Sequence, residues 1–154
     1  MKRLRYLIPV LLGAALSAGC LKGNDNQANP NPEGIFSGEF RLISRKGSPN
    51  ANTVDTVKAN IRLTLNQSNA SYSITGDTAT IHAGSKGIYG VNGGGIGFAD
   101  ATLSSSNANK NAPVIGGKAH LNGSYYFVYN GLVLQMKTVV GDSVAFEYDL
   151  KKTN

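Results

Sequence analysis

The chain has 154 residues, of which 15 are Lys or Arg, 9 are Asp or Glu, 19 are Gly and one is Cys. This length suits one domain with extensions rather than two full domains, and a hydrophobic content of 41% excludes a wholly disordered chain. A single cysteine excludes a disulfide framework and a zinc site built from thiolates. The many Gly, Asn, Ser and Thr residues favour strands and turns over helices.

The first 19 residues have the pattern of a secretory signal. A basic start (Lys2, Arg3 and Arg5) precedes an uncharged, mostly apolar segment over residues 6–16, and small residues follow it. The apolar segment is shorter than the roughly 20 residues that a membrane-spanning helix needs. We therefore predict a cleaved signal over residues 1–19 rather than a retained transmembrane helix.

The only cysteine lies directly after these small residues. Leu16-Ser17-Ala18-Gly19-Cys20 resembles the lipobox of bacterial lipoproteins, with Ser17 where the commonest lipobox has Leu. The resemblance implies cleavage between Gly19 and Cys20, attachment of diacylglycerol to the Cys20 thiol, and a third acyl chain such as palmitate on the new amino group. Ordinary signal cleavage is the alternative, and it would leave a free thiol in an oxidising compartment.

The same resemblance implies a protein that is anchored to a membrane without spanning it. Two or three acyl chains anchor stably, because each buried CH₂ contributes about 0.8 kcal/mol. Leu21 stands where enterobacterial lipoproteins that stay in the inner membrane have Asp, so the implied location is the cell envelope, at the outer membrane. Residues 20–34 then comprise the lipidated cysteine and a linker rich in Asn, Pro and Gly, which as a coil reaches on the order of 20 Å.

Removal of the signal lowers the positive charge of the chain. The signal contains three of the 15 basic residues and none of the 9 acidic ones, so residues 20–154 have a net charge of +3. The remaining basic residues are scattered, and only Arg45-Lys46 and Lys151-Lys152 are adjacent. A nucleic-acid partner would need a clustered basic face. We therefore predict no nucleic-acid partner.

From Ile35 onward the pattern is strand after strand. The clearest strand covers Thr53–Gln67, where apolar and polar residues alternate with period two, as expected for one buried and one wet face. Similar alternation predicts strands around Phe36–Leu42, Tyr72–Ile74 and Ala79–Ala83, with shorter ones at Ile88–Val91 and Ile96–Leu103. The glycine run at residues 93–97 lies between two predicted strands, so it predicts a hairpin tip, a bulge or a sharp bend of the barrel rather than a phosphate-binding loop.

The last forty residues carry the strongest hairpin signal. Leu121–Tyr129 and Leu132–Val140 flank Asn130-Gly131, a pair favoured in type I′ turns because both residues tolerate positive φ. A further turn at Gly141-Asp142 leads into the last strand. In all, the sequence predicts an all-β domain over residues 35–154, an antiparallel meander of about eight strands. Closure into a barrel would remove its edges, and an open β-sandwich is the alternative.

This layout resembles the small calycin or lipocalin-like barrels common among bacterial lipoproteins. The resemblance lies in the number and spacing of strands, since Gly38-Glu39-Phe40 stands where lipocalins have Gly-x-Trp and the chain has no Trp. Barrels of eight strands either fill with side chains or hold one small ligand. Candidate ligand-pocket residues are the inward-alternating Phe40, Leu63, Tyr72, Phe127 and Phe146, for which a plain packed core is the alternative.

Catalytic and metal-binding patterns are weak. The chain has no Gly-x-Ser-x-Gly nucleophile motif, and its two histidines, His82 and His120, lack a second ligand at metal spacing. Alternation with Ile81 and Ala83 predicts that His82 faces solvent. Glu39 and Glu147 lie on the first and last strands, where solvated outward positions explain them better than acid–base chemistry. We therefore predict neither enzyme, cofactor nor metal.

Three segments share the order Asp, hydroxyl residue, aliphatic residue. They resemble the O-glycosylation acceptors of exported Bacteroidetes proteins, which implies glycans on Thr56, Thr78 and Ser143. The alternative is structural, because Asp with Ser or Thr also caps the turns that begin strands.

Two functions fit these patterns. The first is a non-catalytic envelope lipoprotein that binds a small apolar ligand inside the barrel. The second is a structural or interaction module with a filled core, which docks an envelope protein.

Overall fold

The computed structural model describes residues 31–46, 53–103 and 114–153. Gly19 and Cys20 lie outside these ranges, so cleavage and lipidation stay predictions. Ten strands are described: β1 (Gly34–Lys46), β2 (Thr53–Asn66), β3 (Ser71–Gly76), β4 (Ser85–Asn92), β5 (Gly95–Asp100), β6 (Val114–Ile115), β7 (Lys118–Ala119), β8 (Gly123–Tyr129), β9 (Val133–Val140) and β10 (Val144–Thr153).

Eight of these strands form a closed antiparallel barrel in the order β1-β10-β9-β8-β5-β4-β3-β2. The first and last strands close it in a register that runs from Ile35 opposite Thr153 to Ser44 opposite Val144. The predicted all-β fold and its closure are confirmed, and the open sandwich is wrong. Short strands β6 and β7 form a separate hairpin that the sequence pattern did not indicate.

Alternating side chains build the core. On β2 every second residue from Ala59 to Leu65 is buried, while Lys58, Asn60 and Asn66 are exposed. The same alternation on the other strands fills the interior with aromatic and aliphatic residues. Burial of this apolar surface stabilises the barrel by roughly 25 cal/mol per Å².

Gly38 allows β1 to approach β10 closely. A Cβ at this position would lie 2.1 Å from the backbone oxygen of Asp149, a distance that no side chain tolerates. Gly87 on β4 stands in the same relation to the backbone oxygen of Ala99, at 1.9 Å. Glycine within a strand marks such close approaches, which let a sheet curl into a small barrel.

The turns lie at the positions that the sequence predicts, but the turn type of one of them differs from the predicted type. Gly93 and Gly94 form the tip of the β4–β5 hairpin, as predicted. In the β8–β9 turn Gly131 has φ +92° while Asn130 does not have positive φ, so the predicted type I′ turn is wrong. In a turn over residues 130–133, Gly131 is the first central residue. Positive φ at this position alone is typical of a type II′ turn. The Asn130 side chain explains the shift, because its Oδ1 accepts hydrogen bonds from the N–H groups of Leu132 and Val133, at 3.0 and 2.8 Å.

The barrel has two distinct ends. We call the end where β1 begins the tether end, because the predicted linker leads to it. There the hydroxyl of Tyr89 on β4 donates a hydrogen bond to the carbonyl of buried Pro32, at 3.0 Å, which fixes the segment before β1. The opposite end, the far end, carries the β3–β4 and β9–β10 connections. No helix within the described ranges is long and apolar enough to cross a membrane.

Candidate functional site

The five candidate pocket residues lie together inside the barrel. Each comes from a different strand, and all are buried, with Phe40 and Leu63 completely inaccessible to water. These two side chains therefore border no space that a water molecule could occupy. The structure therefore brings the predicted residues together as a packed core.

Aromatic rings fill the space between these residues. The ring of Phe40 lies 4.9 Å from that of Tyr148 and 6.1 Å from that of Phe146, measured between centroids. Tyr72 packs edge-on against Phe98 at 5.1 Å. Such edge and offset contacts contribute about 0.5–1.5 kcal/mol per pair beyond simple burial. A ligand in the interior would have to displace these rings.

His82 lies inside the barrel, so the prediction that it faces solvent is wrong. The predicted strand at Ala79–Ala83 is also wrong: this segment is a connection between β3 and β4, which crosses the far end and pairs with Ala119 through a single bridge at His82. The His82 side chain is fully buried and packs edge-on against Phe40, with 4.7 Å between ring centroids. Alternation failed here because a connection that folds over a barrel end does not follow the period of a strand.

Two hydrogen bonds satisfy the buried imidazole. Nδ1 of His82 lies 2.7 Å from the carbonyl oxygen of Ala83, which only accepts, so Nδ1 carries the hydrogen. Nε2 lies 2.8 Å from the Tyr148 hydroxyl and accepts its hydrogen. Burial lowers the pKa of His82 to about 4 and raises that of Tyr148, so the pair is neutral at physiological pH. Burial also raises the pKa of Tyr125, whose hydroxyl donates a hydrogen bond to the carbonyl of Asn122, to about 12.

His120 belongs to a second polar cluster near the far end. Its Nδ1 lies 2.8 Å from Oδ2 of Asp100, whose Oδ1 accepts hydrogen bonds from the backbone N–H and the hydroxyl of Thr102. These bonds hold the connection that follows β5. Within the described ranges, no group of three or more His, Cys, Asp or Glu residues is placed to hold a metal ion.

Glu39 and Glu147 lie on the outer face, on neighbouring strands as predicted, and basic residues pair with both. Arg41 bridges them, with 3.2 Å from Nη1 to Oε1 of Glu39 and 3.3 Å from Nε to Oε2 of Glu147. Lys58 lies 3.1 Å from Glu39, and Lys137 lies 2.8 Å from Glu147. Hydrogen bonds from Lys58 and Lys137 hold the pKa values of the two carboxyl groups below the usual range. The two acids thus act as ion-pair partners, both ionised at neutral pH.

Beside this network the outer face has a shallow trough of about 320 Å³. The strand register forms it, since Tyr126 pairs with Lys137, Val128 pairs with Gln135, and Glu147 pairs with both Lys137 and Arg41. Three inward residues, Phe127, Met136 and Tyr148, form its floor. Its walls are the outward side chains of β1, β8, β9 and β10: Arg41, Tyr126, Val128, Gln135, Lys137 and Glu147.

One wall of the trough is apolar and exposed. Tyr126 is 83% exposed and Val128 is 65% exposed. Tyr125, Phe127 and Tyr129 alternate with these two residues on β8 and are buried. The signal was present in the sequence, because β8 has large side chains on both faces.

The candidate glycosylation residues lie away from the trough. Thr56 near the start of β2 and Ser143 in the β9–β10 turn are exposed, and Thr78 after β3 is partly buried. All three lie toward the far end of the barrel, so an attached glycan would extend away from the tether.

Comparison of the chain with models of known protein families, with curated proteins and with solved structures finds no match.

Proposed function

We propose that the chain is a lipid-anchored, non-enzymatic binding protein of the cell envelope, which presents the outer face of its barrel to a partner. One contrast carries this proposal: the interior is packed with rings, whereas the trough is open and has an exposed tyrosine. Ligand sites are concave and mostly apolar, with a few fixed polar groups, and the trough has this character.

The anchor is supported by the sequence. Cys20 follows a signal-like segment, and a flexible linker separates it from the barrel. We place the anchored protein at the outer membrane, where the linker leaves enough reach for the barrel to stand clear of the lipid headgroups.

The packing of the interior favours the outer face over the barrel interior as the binding surface. A small apolar ligand among Phe40, Leu63 and Phe146 would have to replace ring contacts that already bury those side chains. Native mass spectrometry of the full chain separates the two alternatives. We expect no small apolar molecule to be released on denaturation. Release of such a molecule would indicate that the barrel interior is the binding site.

Metabolic labelling with a palmitate analogue tests the anchor. We expect label in the wild-type chain and none in Cys20→Ala, which would also leave the membrane fraction. Wild-type chain that carries no label would refute the anchor. The intact mass of the labelled protein then tests O-glycosylation at Thr56, Thr78 and Ser143: a mass equal to polypeptide plus lipid alone would exclude it.

A further inference from the structure

We infer that the trough binds a neutral carbohydrate chain, with Tyr126 as the surface on which a sugar ring stacks. This inference rests on the proposed function, because it names the ligand class of the outer face.

The stacking surface is open because its neighbours leave it uncovered. The residue paired with Tyr126 on β5 is Gly95, which has no side chain, and the residue paired with it on β9 is Lys137, whose ammonium group is held by Glu147. Tyr126 is 83% exposed, so little of its apolar area is buried in the fold. Tyrosine offers a large, rigid, amphipathic contact surface at low entropic cost, and such residues dominate binding sites.

Beyond Tyr126 the outer face is flat. Gly90 and Gly97 pair with each other across β4 and β5, and neither glycine, nor Gly95, has positive φ. A Cβ added at any of the three would meet no atom closer than 3.5 Å. Neither backbone conformation nor packing therefore requires glycine there, although each costs about 0.5–1 kcal/mol in a strand. Because these glycines have no side chains, they leave a flat surface beyond the trough, over which an extended ligand can lie.

The opposite wall supplies fixed hydrogen-bonding groups of both kinds. Arg41 and Lys137 donate, and Glu147 between them accepts. Because ion pairs already hold these side chains in place, a ligand would lose little side-chain entropy by bonding to them. Gln135 adds an amide, which both donates and accepts.

Charge excludes a strongly charged ligand. The network contains three basic groups and two ionised carboxylates, so its net charge is only +1. A polyanion would meet Glu147 inside the trough, and a purely apolar ligand would cover the charged wall without replacing its water. A sugar ring has an apolar C–H face for the tyrosine and a rim of hydroxyl groups that both donate and accept. It therefore complements both walls at once.

The test is a binding screen with the full chain in detergent micelles. Immobilised neutral oligosaccharides of glucose, mannose, galactose and N-acetylglucosamine serve as probes, and the strongest binder is then titrated while the aromatic NMR signals are followed. We expect the Tyr126 ring signals to shift on titration. Binding should weaken on the order of tenfold or more in Tyr126→Ala and should stay within about threefold in Tyr126→Phe, which retains the ring.

Ile88→Ala is the matched control. Ile88 is also an exposed outward residue, at 63%, but it lies on β4 outside the trough, so its removal should leave binding unchanged. Binding of none of the neutral probes, binding of anionic glycans or peptides only, or binding that Tyr126→Ala does not weaken would each overturn the inference. None of these outcomes depends on the anchor, because the acylation of Cys20 is read separately from the intact mass.

Discussion

The two faces of β8 carry similar residues, but one face packs in the core and the other is exposed to solvent. Tyr125 and Phe127 face inward and are buried in the core, whereas Tyr126 and Val128 lie between and beyond them and face solvent. Hydrophobicity alone does not distinguish the two sets. Their place in the closed barrel distinguishes them, since one face of the strand has partners on every side and the other borders a glycine-lined surface. Stability and binding should therefore be separable by substitutions one residue apart.

The largest expected difference is between Phe127→Ala and Tyr126→Ala. Truncation of the buried ring leaves a cavity and should lower the free energy of unfolding by about 3–5 kcal/mol. Truncation of the exposed ring should change it by no more than about 0.5 kcal/mol. Urea unfolding followed by circular dichroism measures both. Equal losses would mean that the outer face also supports the fold.

The buried imidazole predicts that stability depends on pH between 6.5 and 4. The pKa of His82 is about 4 in the folded state and 6.5 in the unfolded chain, so only the unfolded chain gains a proton between these values. Stability should be full above pH 6.5 and fall by about 3 kcal/mol as the pH drops to 4.

Urea unfolding at pH 7, 5.5 and 4 measures this loss. The control is His82→Gln, which keeps an amide in the site but cannot titrate and should lose most of the slope between pH 6.5 and 4. A variant with the wild-type slope would assign the dependence to groups other than His82. Glu39 and Glu147 act at more acidic pH, because their pKa values are lowered.

The smallest expected difference in stability is between alanine substitutions at two glycines. Gly38→Ala places a Cβ against the backbone of β10 and should destabilise the barrel by about 2 kcal/mol. Gly97→Ala meets open space on the outer face and should be neutral or stabilising, by up to about 1 kcal/mol. Thermal unfolding of the two variants compares them. A destabilising Gly97→Ala would remove the argument that this glycine is not needed by the fold.

Regular strands could be predicted from the sequence, and irregular connections could not. The alternation of β2 indicates both its length and its buried face, because a strand with one wet face has period two. His82 was misplaced because the connection that carries it closes a barrel end, and that position depends on strands distant in sequence. The predicted type of the β8–β9 turn is wrong because the Asn130 side chain accepts hydrogen bonds from Leu132 and Val133, in addition to the bond that the Asn130 N–H donates to the Val133 carbonyl.

The candidate site was harder to predict from the sequence than the connections. Phe40, Leu63, Tyr72, Phe127 and Phe146 all lie in the core, since the inward positions of one barrel must meet. Whether they leave room between them depends on three-dimensional packing, which a linear pattern does not contain. The trough depends on cross-strand register, which brings Arg41 of β1 beside Glu147 of β10 and, through β9, to Tyr126 of β8.

The pairing of β1 with β10 has a consequence for biogenesis. The hydrogen-bonded partners Ile35 and Thr153 are 118 residues apart, so the barrel cannot close until the chain has been synthesised as far as Thr153. Contacts of such long range make folding slow, because the closure entropy is lost before the contacts form. Until then β1 lacks one of its two neighbours. The barrel should thus remain open until β10 is available, and the loss of that strand would leave both β1 and β9 as open edges.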